Sequence, residues 1–157
     1  MHPSAWVDVE FVIVRAAVRT FVIGALPFGA KLLAVKTVLF CYSMVGPPPI
    51  ELTGVTLVAL YSLCLFLASD GSRYALHRAF HAVPFLWRFH QVHHSAEVLT
   101  PITLYRNHPV EQLLQSLRSI VVIGVIGGVF AYLSFGKASA IQIMGVPAII
   151  LAFNVLG

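Results

Sequence analysis

The chain has 157 residues, of which 59% are hydrophobic and only 10% are charged, and its formal net charge is +4. Soluble domains carry about 25% charged residues, so this composition excludes a water-soluble globular protein and indicates an integral membrane protein. In such a protein a net positive charge affects the orientation of the chain in the membrane and its attraction to anionic lipid. No nucleic-acid partner is expected.

The N-terminal third contains two apolar segments that charges interrupt. Residues 9–30 include Arg15 and Arg19, and a charge at the bilayer centre costs about 2.5–3.5 kcal/mol. This pattern favours an interfacial helix over a membrane span, with a helix break at Pro27. Residues 31–45 form a weaker candidate span, which a run of prolines ends.

Residues 52–69 are uncharged and close to the roughly 20 apolar residues that cross a bilayer. We predict a membrane helix here that continues past Asp70. On a helix, Asp70, Tyr74, His77 and His81 share one face, because they are spaced by three or four residues.

Five of the seven histidines fall within an 18-residue stretch that Pro84 divides. His77 and His81 are four residues apart, which places their Cβ atoms about 5–6 Å apart on a helix. Beyond the proline, the spread of the next three histidines suits two nearby metals better than one. Imidazole nitrogen is a ligand for iron, zinc, copper and nickel. The predicted metal ligands are His77, His81, His90, His93 and His94.

Three further side chains are candidates to orient these ligands. Metal-bound histidines usually donate their second ring N–H to a carboxylate or a carbonyl. Asp70 could accept this hydrogen bond directly or through Tyr74, and Glu97 could serve the second group of histidines. The equally weighted alternative for Asp70 is a charge that marks the membrane boundary.

The sequence His108-Pro109 predicts the start of another helix, because proline favours the first helical position. Glu111 then occupies the place of a capping glutamate. Two interpretations of His108 stay open: a residue that starts the helix, or a metal ligand or near-site residue.

The C-terminal part predicts a helical hairpin over residues 119–156. Its first arm contains Gly124 and Gly128, a small-xxx-small pair that permits close helix packing. Its second arm covers residues 138–156, with a kink at Pro147.

These motifs together resemble the fatty acid hydroxylase superfamily, also called the sterol desaturase family. The resemblance covers about residues 66–115 and rests on HRxxH, LWRFHxVHHS and YRxHPxE. The sequence predicts an all-α integral membrane fold, with about four transmembrane or membrane-embedded helices and additional interfacial amphipathic helices. We expect one domain over residues 1–157, with the histidine-box region at 70–111.

The resemblance implies a membrane-bound oxidoreductase that uses O₂ to hydroxylate or desaturate a C–H bond of a lipid, either a sterol, a fatty acyl chain or a related molecule. It implies a di-iron cofactor, for which zinc could substitute in isolated protein. The implied partners are a membrane lipid substrate, O₂ and an external electron donor.

Arginines are concentrated on the histidine side of the predicted spans, so the positive-inside rule places that side in the cytoplasm. The membrane would be a bacterial inner membrane or the endoplasmic reticulum. The family carries further histidine boxes downstream, whereas no histidine follows His108 in this sequence. We therefore expect about half of a di-metal site, in a chain that is either a fragment of a longer protein or naturally truncated.

Two alternatives to a complete enzyme follow from that ligand count. The chain could be a truncated, catalytically inactive membrane protein that retains partial metal binding, or a homo-oligomer could complete the site. A bis-histidine haem carrier is the least favoured interpretation, because its ligands would lie on facing membrane helices.

Overall fold

The structure, a computed structural model, describes residues 3–98, 101 and 103–135. This part of the chain is helical and contains no strand, which confirms the predicted all-α class. Its elements are α1 (Pro3–Val45), α2 (Gly54–Ala82), α3 (Pro84–His94), a 3-10 turn (Thr103–Tyr105) and α4 (Pro109–Leu133).

Three of the described helical segments are long and apolar enough to cross a membrane: Leu26–Val45, Gly54–Ala82 and Pro109–Leu133. Large apolar side chains such as Phe28 and Leu63 are exposed on them, as expected where a surface faces lipid. The predicted fourth span, which is the second arm of the hairpin, lies outside the described residues.

The first helix corrects the predicted break at Pro27. α1 continues through this proline for a total of 43 residues, and the candidate span begins one residue earlier, at Leu26. Proline removes one backbone hydrogen bond. In apolar surroundings every further unsatisfied backbone group costs several kcal/mol, so a continuous helix is favoured over an irregular break.

The second helix continues past Asp70 to Ala82, as the sequence predicted. Val83 then adopts an extended conformation, with φ −99° and ψ 115°. The residue before a proline is disfavoured in the helical region, whereas Pro84 itself suits the first position of α3. The predicted break between the two histidine motifs is therefore confirmed.

The chain divides into two compact units, and α1, α2 and α4 each contribute residues to both. The first unit combines Met1–Pro27 with Ser72–Arg118, and the second combines Phe28–Gly71 with Ser119–Gly157. All five clustered histidines belong to the first unit.

The second unit has a core in which Leu57, Tyr61 and Leu65 of α2 pack with Phe130 of α4. The rings of Tyr61 and Phe130 meet edge to face, with centroids 5.4 Å apart. In the same unit α4 lies directly against α1, because Cβ atoms added at Gly124 and Gly128 would come within 3 Å of side chains of α1. The close packing that the glycine pair predicted is confirmed.

Candidate metal centre

The end of α2 and the whole of α3 form a compact group of imidazoles. The rings of His77 and His81, one turn apart on α2, have centroids 4.8 Å apart. α3 brings the buried ring of His90 to 4.8 Å from each of them. One ligand nitrogen from each of these three side chains lies within 4.8 Å of those of the others.

A fourth imidazole, that of His94, joins this group from the next turn of α3. Its ring centroid lies 5.0 Å from that of His81 and 4.9 Å from that of His90. The Nε2 atoms of His90 and His94 are 3.2 Å apart. Two nitrogens bound at right angles to one metal, each at 2.0–2.1 Å, would be about 3 Å apart. The spacing of this pair therefore fits a shared ion.

His93 lies at the edge of the group. Its ring is 5.7 Å from that of His90 and 5.3 Å from that of His94. Among the described residues its buried Nδ1 atom has no hydrogen-bond partner, which leaves this nitrogen available for a ligand. Its assignment as a metal ligand, like that of the other histidines, stays a prediction.

Two aromatic side chains enclose part of the imidazole group. Phe80 is fully buried and stacks on His90, with centroids 5.3 Å apart and an interplanar angle of 14°. The ring of Trp87 lies 5.3 Å from that of His81 and 5.5 Å from that of His94. These contacts restrict the orientations of the imidazoles, and the stacked Phe80 covers one face of the buried His90 ring.

The protonation state of the α3 histidines suits metal binding. Burial, together with the neighbouring His81 and His94, lowers the pKa of His90. Burial and the neighbouring His93 lower the pKa of His94. A lowered imidazole pKa favours the neutral ring at pH 7, and the neutral ring is the form that coordinates a metal.

The donor set therefore fits a metal ion of the kind that imidazole prefers. All the converging donors are ring nitrogens of histidine, which suit iron, zinc, copper or nickel rather than magnesium or calcium. The three nitrogens of the central group lie within 4.8 Å of one another, and nitrogens on opposite sides of one ion would be about 4 Å apart. Small side-chain rotations would close that difference.

Glu111 is the residue near the site that the sequence did not identify. It is buried in the first turn of α4, and its Oε2 lies 3.2 Å from Nδ1 of His90. Within the described residues the carboxylate accepts no backbone N–H, so the predicted cap is not formed. The sequence signal was a glutamate in an apolar helix, which does not indicate the direction of the side chain.

His108 occupies the position that precedes α4. Its Nδ1 accepts the backbone N–H of Val110 at 3.2 Å, and its carbonyl accepts that of Gln112, also at 3.2 Å. The ring packs 4.9 Å from that of Phe89. These contacts support the helix-start interpretation, whereas a ligand role for His108 stays a prediction.

The three other candidates to orient ligands lie on exposed positions. Asp70 and Tyr74 are exposed on α2, and in the described part of the chain neither forms a hydrogen bond or an ion pair with a histidine. Glu97 is exposed in the bend after α3. Their positioning roles stay predictions.

Comparison with known proteins identifies the family to which this helical, histidine-rich chain is related. The model of the fatty acid hydroxylase family matches residues 62–148, more than half of the chain. Neither the curated proteins nor the solved structures gave a match. The matched range contains the imidazole group, the 3-10 turn and the start of α4. The candidate metal site therefore lies inside it. The chain therefore belongs to the fatty acid hydroxylase family.

Proposed function

We propose that this chain is part of an iron-dependent membrane oxidoreductase that hydroxylates or desaturates a C–H bond of a lipid. The convergence of three histidine nitrogens within 4.8 Å of one another, in a family whose enzymes generally depend on iron, carries this proposal. The three candidate spans support a membrane setting, where a lipid substrate can arrive sideways from the bilayer.

The histidine group would hold the iron, and His77, His81, His90, His93 and His94 are the proposed ligands. Bound iron would supply the oxidising chemistry that an unactivated C–H bond requires. Phe80 and Trp87 contact the imidazoles and restrict their orientations. Two irons need roughly eight donors in six-coordinate or five-coordinate geometry, which is more than these five histidines supply.

The overall reaction requires O₂ and an external electron donor. Hydroxylation consumes the lipid, O₂, two electrons and two protons, and yields the alcohol and one water. Desaturation consumes the same reactants, and yields the alkene and two waters. We propose that electrons arrive on the cytoplasmic side, because arginines are concentrated near the histidine motifs.

A direct test measures metal binding and lipid oxidation on one preparation. The full chain in lipid nanodiscs, carrying W6F so that Trp87 is the only tryptophan, is titrated with Co²⁺, a paramagnetic quencher that imidazole binds. We expect Trp87 fluorescence to fall in the parent protein and in H2A, a matched His→Ala control whose sequence position lies outside residues 77–94. The double variant H81A/H90A should show little quenching.

The same protein loaded with Fe²⁺ is then supplied with lipid vesicles, O₂ and a reductant. Oxygen uptake together with lipid that gains one oxygen atom or loses two hydrogen atoms supports the proposal. Metal binding without lipid oxidation would instead favour the second candidate, a non-catalytic metal-binding membrane protein, which the small number of clustered ligands supports. Quenching that H81A/H90A leaves unchanged would overturn the metal site, and a Soret band would indicate haem.

A further inference from the structure

Glu111 and His90 form a buried pair of side chains. Metal binding by the histidines alone does not explain why a carboxylate lies beside one of them. Glu111 is 6% exposed and His90 is 1% exposed. Nδ1 of His90 and Oε2 of Glu111 are 3.2 Å apart. Neither atom has an aligned hydrogen-bond partner in the described structure. A small side-chain rotation would let the two atoms form a hydrogen bond with each other.

The two nitrogens of His90 face different neighbours. Nδ1 faces the Glu111 carboxylate, and Nε2 lies 3.2 Å from Nε2 of His94. A neutral imidazole carries one proton, and the hydrogen bond made by one nitrogen decides which nitrogen keeps the lone pair. An ionised carboxylate only accepts hydrogen bonds. The proton therefore belongs on Nδ1, and the lone pair of Nε2 is directed toward the histidine group.

We propose that Glu111 is a positioning residue of the metal centre, because its carboxylate holds His90 in the tautomer and ring orientation that present Nε2 to the metal. This inference rests on the proposed metal site. It gives the glutamate of the YRxHPxE motif a role different from the helix cap that its position predicts. A carboxylate behind a metal-bound histidine also makes the imidazole a stronger ligand.

The geometry also argues against a purely structural role. A buried carboxylate is unfavourable unless it is paired, and a glutamate needed only to fill space between α3 and α4 could be replaced by an uncharged residue. In the observed arrangement the only basic side chain in ion-pair distance of Glu111, among the described residues, is His90. Four other imidazoles, those of His77, His93, His94 and His108, also interact electrostatically with Glu111. Its charge therefore faces the histidine group, and His90 is the member within ion-pair distance.

The test compares the metal affinity of glutamate variants by Co²⁺ quenching of Trp87 in the W6F protein. E111Q keeps the size of the side chain but removes its charge, and E111A removes both. Loss of such a partner typically weakens metal binding 10-fold to 100-fold. We expect E111Q to lie near the lower value and E111A near the upper one. E10Q makes the same chemical change at an exposed position and should leave the affinity unchanged.

A second measurement separates positioning from structural support. If Glu111 acts through His90, E111Q should weaken Co²⁺ binding in the parent but add little in an H90A background. Thermal unfolding of E111Q without metal should stay close to that of the parent. Should E111Q lower thermal stability while its Co²⁺ affinity stays within twofold of the parent, Glu111 supports only the packing of α3 on α4, and the inference is wrong.

The outcomes also distinguish this inference from the proposed function. A parent protein that binds no Co²⁺ overturns the metal site itself, and the positioning role with it. A parent that binds Co²⁺ tightly, with E111Q and E111A equal to it, overturns only the role of Glu111. Weakened binding in E111Q that is additive with H90A would show that Glu111 acts on the metal independently of His90, which also contradicts the proposal.

Discussion

His90 is the residue at which the contacts of the imidazole group meet. Its ring lies within 5 Å of those of three other histidines, from both α2 and α3. The stacked Phe80 and the buried Glu111 restrict its orientation. A side chain held on several sides loses little freedom when a ligand binds, so His90 is the best pre-organised donor of the group.

His108 provides a prediction that separates its two interpretations. As the N-cap of α4, its Nδ1 accepts the N–H of Val110, and asparagine is among the residues best suited to replace it there. H108N should therefore retain stability, whereas H108A should lose about 1 kcal/mol. Both variants should bind Co²⁺ with the affinity of the parent.

Thermal unfolding and Trp87 quenching in the W6F protein measure the two properties separately. If H108N and H108A both weakened Co²⁺ binding tenfold at unchanged stability, His108 would be a metal ligand and its capping role incidental.

At the scale of elements, the close contact between α4 and α1 requires glycine, which has no side chain, on α4. A Cβ added at Gly128 would lie 2.5 Å from Cβ of Thr37 and 2.7 Å from the carbonyl oxygen of Ala34. Both distances are too short for a nonbonded contact of a carbon atom. The carbonyl group belongs to the backbone of α1, so it cannot move without moving the helix. One added methyl group would therefore separate the two helices locally.

Gly127 is a matched control, because it is the neighbouring residue and its added Cβ would meet only the hydroxyl of Tyr61, at 4.0 Å. We expect G128A to destabilise the protein by about 1–3 kcal/mol, the usual range for overpacking. G127A should stay within about 1 kcal/mol of the parent. Thermal or denaturant unfolding in one detergent measures both. Equal stability of the two variants would show that α1 and α4 can separate without cost.

Helix positions were predicted well where a local signal decides them, and less well where neighbouring groups decide. The extension of α2 beyond Asp70 follows from the continued histidine spacing, and the break at Val83 follows from the steric effect of Pro84. Pro27 carries the same local signal, yet α1 continues through it. The difference depends on the apolar surroundings, which penalise an open backbone and which local propensity does not include.

At the scale of the whole molecule, the unit that holds the histidines combines parts that are distant in sequence, residues 1–27 and 72–118. Spacing rules could group His77 with His81, because one helix turn relates them. They could not foresee that Glu111 would turn toward His90, since tertiary packing sets that direction. Spacing rules also could not predict that the buried Asp8 would pair with Thr103 and Arg106, because these lie 95 and 98 residues away in the sequence.

Asp8 connects the start of α1 to the segment between α3 and α4. Its side chain is fully buried. Oδ2 accepts a 2.8 Å hydrogen bond from Thr103, and Oδ1 lies 3.3 Å from Nη1 of Arg106. Seven residues further along α1, the guanidinium of Arg15 lies over the ring of Tyr105, 4.7 Å from its centroid. These contacts fix the segment that leads into α4.

Removal of either charge should therefore destabilise the protein strongly, because it takes away a counterion of the other buried charge. We expect D8A and R106A each to cost about 3–5 kcal/mol, the range for breaking a buried ion pair. The double variant D8A/R106A should cost less than the sum of the two, because both charges are then absent. E10Q, which removes an exposed charge two residues from Asp8, should change stability little.

Unfolding of the parent, D8A, R106A and D8A/R106A in the same detergent gives the coupling energy between Asp8 and Arg106 directly. A coupling energy near zero would show that the two side chains act independently, so that Asp8 does not attach the start of α1 through Arg106. A large coupling energy would make the first turns of α1 a required part of the unit that holds the histidines. Deletion of residues 1–10 should then lower the thermal stability and the Co²⁺ affinity together.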